Sequence, residues 1–263
     1  MPDAYEVRAH NLSAQSENRI HDDAVARRFG FSGALVPGVE VYAYACHPAV
    51  CRWGRAWLER GTMECRFLSP VYDGDLVSVE ATEAGEGIAV TVRRGETRCA
   101  TGHAALPAAG PPPDAAAWPW RVPPDARPAA SEDTLAPGTI LGTAPFEATP
   151  DGAAEYLAAV READPIYARE GLVHPGQVLR LCNLALVQNV VLGPWIHVGS
   201  RVRNLAAARV GGTLTARARV TANAGRKGHA IVDLDVLVVD GGGAPVAHVL
   251  HTAIWRPRQV GAA

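Results

Sequence analysis

The 263-residue sequence has no paired-cysteine motif, no long uninterrupted apolar run and no surplus of either charge, and each absence closes a class of function. Its five cysteines, Cys46, Cys51, Cys65, Cys99 and Cys182, are odd in number and nowhere spaced C-x-x-C, which argues against a disulfide framework and a structural zinc site. They read as small apolar fillers rather than reactive thiols. The stretch from Val173 to Trp195 is interrupted by His174, Gln177, Arg180, Asn183, Gln188 and Asn189, so it falls short of the roughly 20 apolar residues of a membrane-spanning helix. Lys+Arg 25 against Asp+Glu 27 leaves a net charge of -2, without the basic excess of nucleic-acid or anionic-membrane binders. The polar and acidic Met1 to Arg8 shows no charged-then-apolar leader pattern, so a cytoplasmic protein without nucleic-acid or membrane partners is expected. Neither a phosphate loop with Lys nor a dinucleotide fingerprint occurs. His10, His47, His103, His197, His229, His248 and His251 are too scattered for a recognisable metal site, so no metal and no cofactor is expected.

What is present is a chain long enough, at roughly 100 to 200 residues per domain, for one large domain or two small ones. Between Leu106 and Gly138 periodicity is lost, and Pro111 to Pro113, Pro119, Pro123, Pro124, Pro128 and Pro137 make a Pro/Ala-rich linker or strap. Trp118 and Trp120 within it imply that the strap lies against the body of the protein. The expected organisation is a first unit at 1–106, the strap at 107–137 and a second unit at 138–263.

The two units look alike. Ala34-Leu35-Val36-Pro37-Gly38 is echoed by Gly171-Leu172-Val173-His174-Pro175-Gly176, with Gly38 and Gly176 in matching places. Each Pro-Gly opens an apolar stretch of helical length, Val39 to Ala45 continuing toward Leu58, and Gln177 to Leu192. Downstream, Gly74 of the Tyr72-Asp73-Gly74 turn has its echo in Gly211, at the same offset to within one position, the mark of an internal duplication. Period-two runs follow each helix: Leu76–Thr82, Ile88–Arg93 and Thr97–Leu106, then Ile196–Leu205, Thr213–Thr221, Ala230–Val239 and Val246–Trp255. Gly85 to Gly87, Gly225 to Gly228 and Gly241 to Gly243 are their hairpin turns. The fold class expected is α+β, each half a long apolar helix wrapped by an antiparallel sheet.

One helix swaddled by a sheet, in tandem, resembles the double hotdog fold, and in particular the MaoC-like (R)-specific enoyl-thioester hydratases and dehydratases. Their signature reads approximately Asp-x-Asn-Pro-x-His, then a short helix, a Gly-rich turn and His-Gly at the start of the central helix. Ser16-Glu17-Asn18-Arg19-Ile20-His21 occupies that place here, followed by Asp22 to Arg28 and the Gly30 to Gly38 turn, and the spacing from His21 to Gly38 suits the family. Asn18 and His21 match. The Asp position holds Ser16, the Pro position Arg19, and the His before the helix glycine is Pro37. The second half offers a weaker echo in Glu162-Ala163-Asp164-Pro165-Ile166-Tyr167, whose Tyr167 lies much closer to Gly176 than His21 does to Gly38.

The resemblance implies hydration or dehydration of an acyl thioester carried by coenzyme A or a carrier protein, with His21 in proton transfer, Asn18 beside it and Glu17 one position from the lost carboxylate. An imidazole near its ordinary pKa suits that role; a helix-start His bonded to local backbone is the plainer reading. His174, at a helix start, either orients a carbonyl, acts as a base or simply packs. Glu40 is either the carboxylate of a hotdog thioesterase or cyclase, with His174 as its rival, or a group that stabilises the helix dipole. Gly33, Val36, Gly38 and Gly176 form the turns whose amides would hold a carbonyl oxygen, and Tyr42 and Asn183 are further candidates for substrate contact. Arg180 and Asn183 either line a cleft or knit the halves together. Arg201, Arg203, Arg217 and Arg219 either meet phosphates of the carrier or alternate on an exposed sheet face. A non-catalytic thioester binder is the remaining alternative, and association of copies through sheet edges is expected.

Overall fold

The computed structural model describes residues 5–258. The first half contributes β1 (Tyr5–Arg8), the short helix α1 (Asp23–Arg28), the central helix α2 (Gly38–Trp53), α3 (Arg55–Arg60), and strands β2 (Thr62–Phe67), β3 (Leu76–Ala84), β4 (Gly87–Arg94) and β5 (Thr97–Ala105). The second half contributes β6 (Ile140–Gly142), β7 (Phe146–Glu147), α4 (Pro150–Ala159), α5 (Ile166–Glu170), the central helix α6 (Pro175–Val187) and strands β8 (Ile196–Asn204), β9 (Thr213–Arg226), β10 (His229–Asp240) and β11 (Pro245–Arg256). No helix among the described residues is long and apolar enough to cross a membrane.

All eleven strands form one antiparallel sheet in the order β1-β3-β4-β5-β2-β8-β11-β10-β9-β6, with β7 also on β9. The order of the first half is read backwards in the second, about a seam where β2 pairs with β8 and Cys65 faces Ser200. α2 and α6 pack against each other and against the sheet, so Val39 to Cys46 are all buried. A helix enclosed by a sheet on one side and a helix on the other has to be apolar nearly all round. α2 stops earlier than the apolar run suggested, because Gly54 takes a left-handed φ of 55° before the chain resumes as α3.

The duplication is visible in the hydrogen bonds. The bridge between Leu35 and Tyr72 recurs between Leu172 and Arg209. Val36 N–H donates to the Val71 carbonyl at 2.8 Å, and Val173 N–H to Ala208 at 2.9 Å. All of these pairs keep the offset that relates Gly74 to Gly211. That register equates Pro37 with His174 and Val39 with Gly176, one position away from the equivalence suggested by the two Pro-Gly pairs.

The strap is held to the sheet by its carbonyls. Arg203 donates to Pro111 (3.3 Å), Arg217 to Ala115 (3.4 Å) and Arg219 to Ala117 (3.1 Å). Three of the four arginines considered as phosphate ligands are therefore engaged by the chain itself. Trp120 Nε1–H donates to the Thr143 carbonyl at 3.3 Å, and Trp118 meets the His248 ring edge-on at 5.3 Å.

Candidate active site

A cavity of about 280 Å³ lies between the halves at the N-terminus of α2. Asn18, His21, Val36 and Gly38 reach it from the first half, and Asn183, Trp195 and His197 from the second. Its remaining wall is apolar apart from Ser69, with Phe67 and Ile254 among the contributors.

The loop before α1 is locked in place by Asn18. Its Oδ1 accepts from the amides of Ile20 (3.3 Å) and Trp195 (3.2 Å), and its Nδ2 donates to the Trp195 carbonyl (3.0 Å). Those bonds fix which end of the amide is which. The Nδ2 group also stands 3.3 Å from Nε2 of His21. Nδ1 of His21 lies 2.7 Å from the Leu35 carbonyl, which can only accept, so Nδ1 carries the proton and Nε2 presents its lone pair. Burial lowers the His21 pKa to about 4, with a smaller contribution in the same direction from Arg180 and against the pull of the Leu35 carbonyl. At neutral pH the imidazole is uncharged and able to accept a proton.

The first turn of α2 adds amide donors. Its N-cap is Pro37, which supplies no side-chain bond, so the helix start keeps the free N–H groups and partial positive charge of an uncapped N-terminus. Gly38 is needed there, because a Cβ would come 2.9 Å from Phe67 and 3.0 Å from Nδ1 of His197. Asn183, on α6, lines the same cavity, and its buried Oδ1 has no hydrogen-bond partner among the described residues.

The matching end of α6 is closed. His174 is buried and caps the helix, its Nδ1 accepting from Gly176 N–H at 3.0 Å. Gly176 is pressed against Tyr156, whose hydroxyl would lie 2.2 Å from a Cβ at that position. Pro175, in the same turn, borders a void of about 10 Å³. Glu162 Oε2 is 3.7 Å from Nε2 of His174, and its Oε1 accepts from His47 at 2.8 Å. Burial drives the Glu162 carboxyl up, but the nearby His174 ring and the bond from His47 leave it well below the ordinary carboxylate range.

The remaining candidates lie away from the cavity. Glu17 is exposed and pairs with Arg127 of the strap at 2.9 Å. Glu40 is fully buried in an ion pair with Arg180, and burial pushes its carboxyl up to about 7 against the pull of that guanidinium. Tyr42 is buried in the core. The Gly33 turn packs by Asp23, whose carboxylate accepts from Ala34 N–H at 2.7 Å. Sequence reasoning set His197 aside as one of several scattered histidines; only strand pairing brings it to the cavity.

No protein-family model matches the chain, and no curated protein matches its sequence. Solved structures do match. A conserved hypothetical protein from Mycobacterium tuberculosis with a double hotdog fold superposes with a TM-score of 0.61 at 14% identity, covering 97% of this chain and 96% of that one. The chain is a double hotdog. A MaoC domain protein from Chloroflexus aurantiacus is similar with a TM-score of 0.60 at 12% identity, over 98% and 96% of the two chains. An N-terminal dehydratase from the difficidin assembly line gives 0.53 at 12%, over 98% and 94%.

Proposed function

We propose that this double hotdog adds water to, or removes it from, an acyl thioester, with His21 as the proton-transfer group. One observation carries the reading: the lone pair of His21 Nε2 and the uncapped first turn of α2 belong to the same cavity. In elimination, the imidazole takes the proton on the carbon next to the thioester carbonyl and, as imidazolium, gives it to the departing 3-hydroxyl, so that the C–O bond breaks with release of water and the ring returns to neutral. The α2 amides stabilise the negative charge that develops on the carbonyl oxygen, an effect worth about 100- to 1,000-fold in rate for a single donor in other enzymes. The Leu35 carbonyl holds the ring in the tautomer that leaves Nε2 unprotonated, and the Asn18 Nδ2 group that donates to Nε2 gives way to the substrate's proton. The resemblance of the Ser16 to His21 segment to the hydratase signature, and the description of similar structures as MaoC and dehydratase proteins, support the same chemistry.

The test is to incubate the protein with short and medium trans-2-enoyl and (R)-3-hydroxyacyl thioesters, following absorbance of the conjugated thioester and release of free thiol. Turnover without thiol release that is lost in His21→Ala is the expected result. Thiol release by the wild type would move the reading to hydrolysis, and intact thioesters throughout would end it for these substrates.

A further inference from the structure

Buried polar atoms almost always have partners, so an orphan pointing into a cavity marks a place where a ligand completes the bonding. Nδ1 of His197 is such an atom. The residue is 5% exposed, lines the cavity beside α2, and its Nδ1 has no partner among the described residues. That nitrogen is aimed at the helix start, as its 3.0 Å distance from the position of a Cβ on Gly38 shows.

The other side of the ring is fixed. Nε2 lies 3.2 Å from the Gly199 carbonyl and 2.9 Å from Oγ of Ser200. A carbonyl accepts only, so the proton is on Nε2 and the lone pair is on Nδ1, directed at the start of α2 where the cavity lies. Ser200 accepts from Nε2 and passes its own hydrogen to Nδ1 of His251 at 3.0 Å, directly across the β8–β11 pair. The two imidazoles stack at 4.2 Å, a contact suited to neutral rings. Burial and then the neighbouring His251 push His197 well below its ordinary pKa, and burial lowers His251 to about 3.

We propose that His197 is a second substrate-contacting group of this cavity, whose Nδ1 accepts the hydrogen bond of the reacting water or of the 3-hydroxyl on the acyl chain. Ser200 and His251 are positioning residues that hold it in the accepting tautomer. The proposal rests on the hydration reading and adds to it the group, supplied by the opposite half, that orients the oxygen while His21 handles the proton.

Nitrogen-15 NMR of the imidazoles, in full-length protein alone and with (R)-3-hydroxybutyryl-coenzyme A or butyryl-coenzyme A, tests it alongside turnover. The expected spectrum shows His197 protonated on Nε2, with Nδ1 shifting for the hydroxylated thioester and not for the saturated one. His197→Phe is expected to lower kcat at least about 100-fold, in the range of a lost general acid–base contact. Ser200→Ala is expected to give a mixture of His197 tautomers and a kcat about tenfold lower with KM little changed. A His197 protonated on Nδ1 in the free protein would overturn the proposal whatever becomes of hydration. Full activity of His197→Phe beside an active wild type would overturn it and leave hydration standing. Absence of turnover and of any Nδ1 shift in the wild type would remove both.

Discussion

Asn18 in the first half and Trp195 in the second exchange a reciprocal pair of bonds, side-chain amide to main chain, at 3.0 and 3.2 Å. The same Asn18 faces the His21 ring, so one side chain both joins the halves and orients the base. Asn18→Leu removes these bonds and leaves the Trp195 amide and carbonyl unpaired in a buried setting, at a cost of about 1–3 kcal/mol for each group stranded. A lower denaturant midpoint is expected, together with a loss of turnover larger than the unfolded fraction accounts for; unchanged stability would show that the seam does not depend on this residue.

Activity should be insensitive to pH across the range where an ordinary histidine titrates. His21 acts as the neutral base and its pKa is lowered to about 4, so kcat/KM stays level from pH 8 to 5 and falls only as pH drops toward that value. Initial rates taken within seconds of dilution into acidic buffer separate this from unfolding. A loss centred near pH 6.5 would mean that the ring is more hydrated than its setting indicates.

Stability should fall well before activity does. A histidine whose folded pKa is depressed takes up its proton only on unfolding, so its penalty begins below about pH 6.5 and grows until the folded pKa is reached. For His251, lowered to about 3, the loss at pH 5 is about 2 kcal/mol, at 1.36 kcal/mol per unit. Glu40, raised to about 7, runs the other way by about 3 kcal/mol between pH 7 and 5, but His21 and His197, lowered by burial as His251 is, leave a net loss. Urea midpoints of the wild type should drop from pH 7 to 5, and His251→Gln should reduce that slope by about one proton.

Breaking the pair between the two central helices should cost more than replacing it. Arg180→Leu strands the fully buried Glu40 carboxylate, and removal of one partner of a buried pair costs about 3–5 kcal/mol. The double variant Glu40→Leu/Arg180→Leu should regain most of that. Thermal or urea unfolding of both proteins measures the difference, and equal losses would show that no charge is left stranded.

The tandem helix-and-sheet plan was legible because it is written in local periods: the alternation of Leu76–Ala84 and the repeated turn before each central helix each occupy only a short run of consecutive residues. The short strands β1, β2, β6 and β7 were not, since runs of 2 to 6 residues barely establish a period. For the same reason the β2–β8 seam was invisible. The candidate site divides along this line. His21, Asn18, Val36 and Gly38 belong to one contiguous segment and reach the cavity together, as does Asn183. Glu17 and Glu40 carry suitable chemistry, but their directions are set by partners far along the chain, Arg127 and Arg180, while His174 turns back to cap its own helix. His197 gives no local signal at all.

The unequal ends of α2 and α6 carry a consequence for stoichiometry. A chain assembled from two copies of one unit would be expected to hold two ligands, yet one helix start is open and its twin is stoppered by His174 and Tyr156. Titration should saturate at one thioester per polypeptide. The second unit, its own helix start closed, supplies instead the far wall, in Asn183, Trp195 and His197, of the cavity at the first.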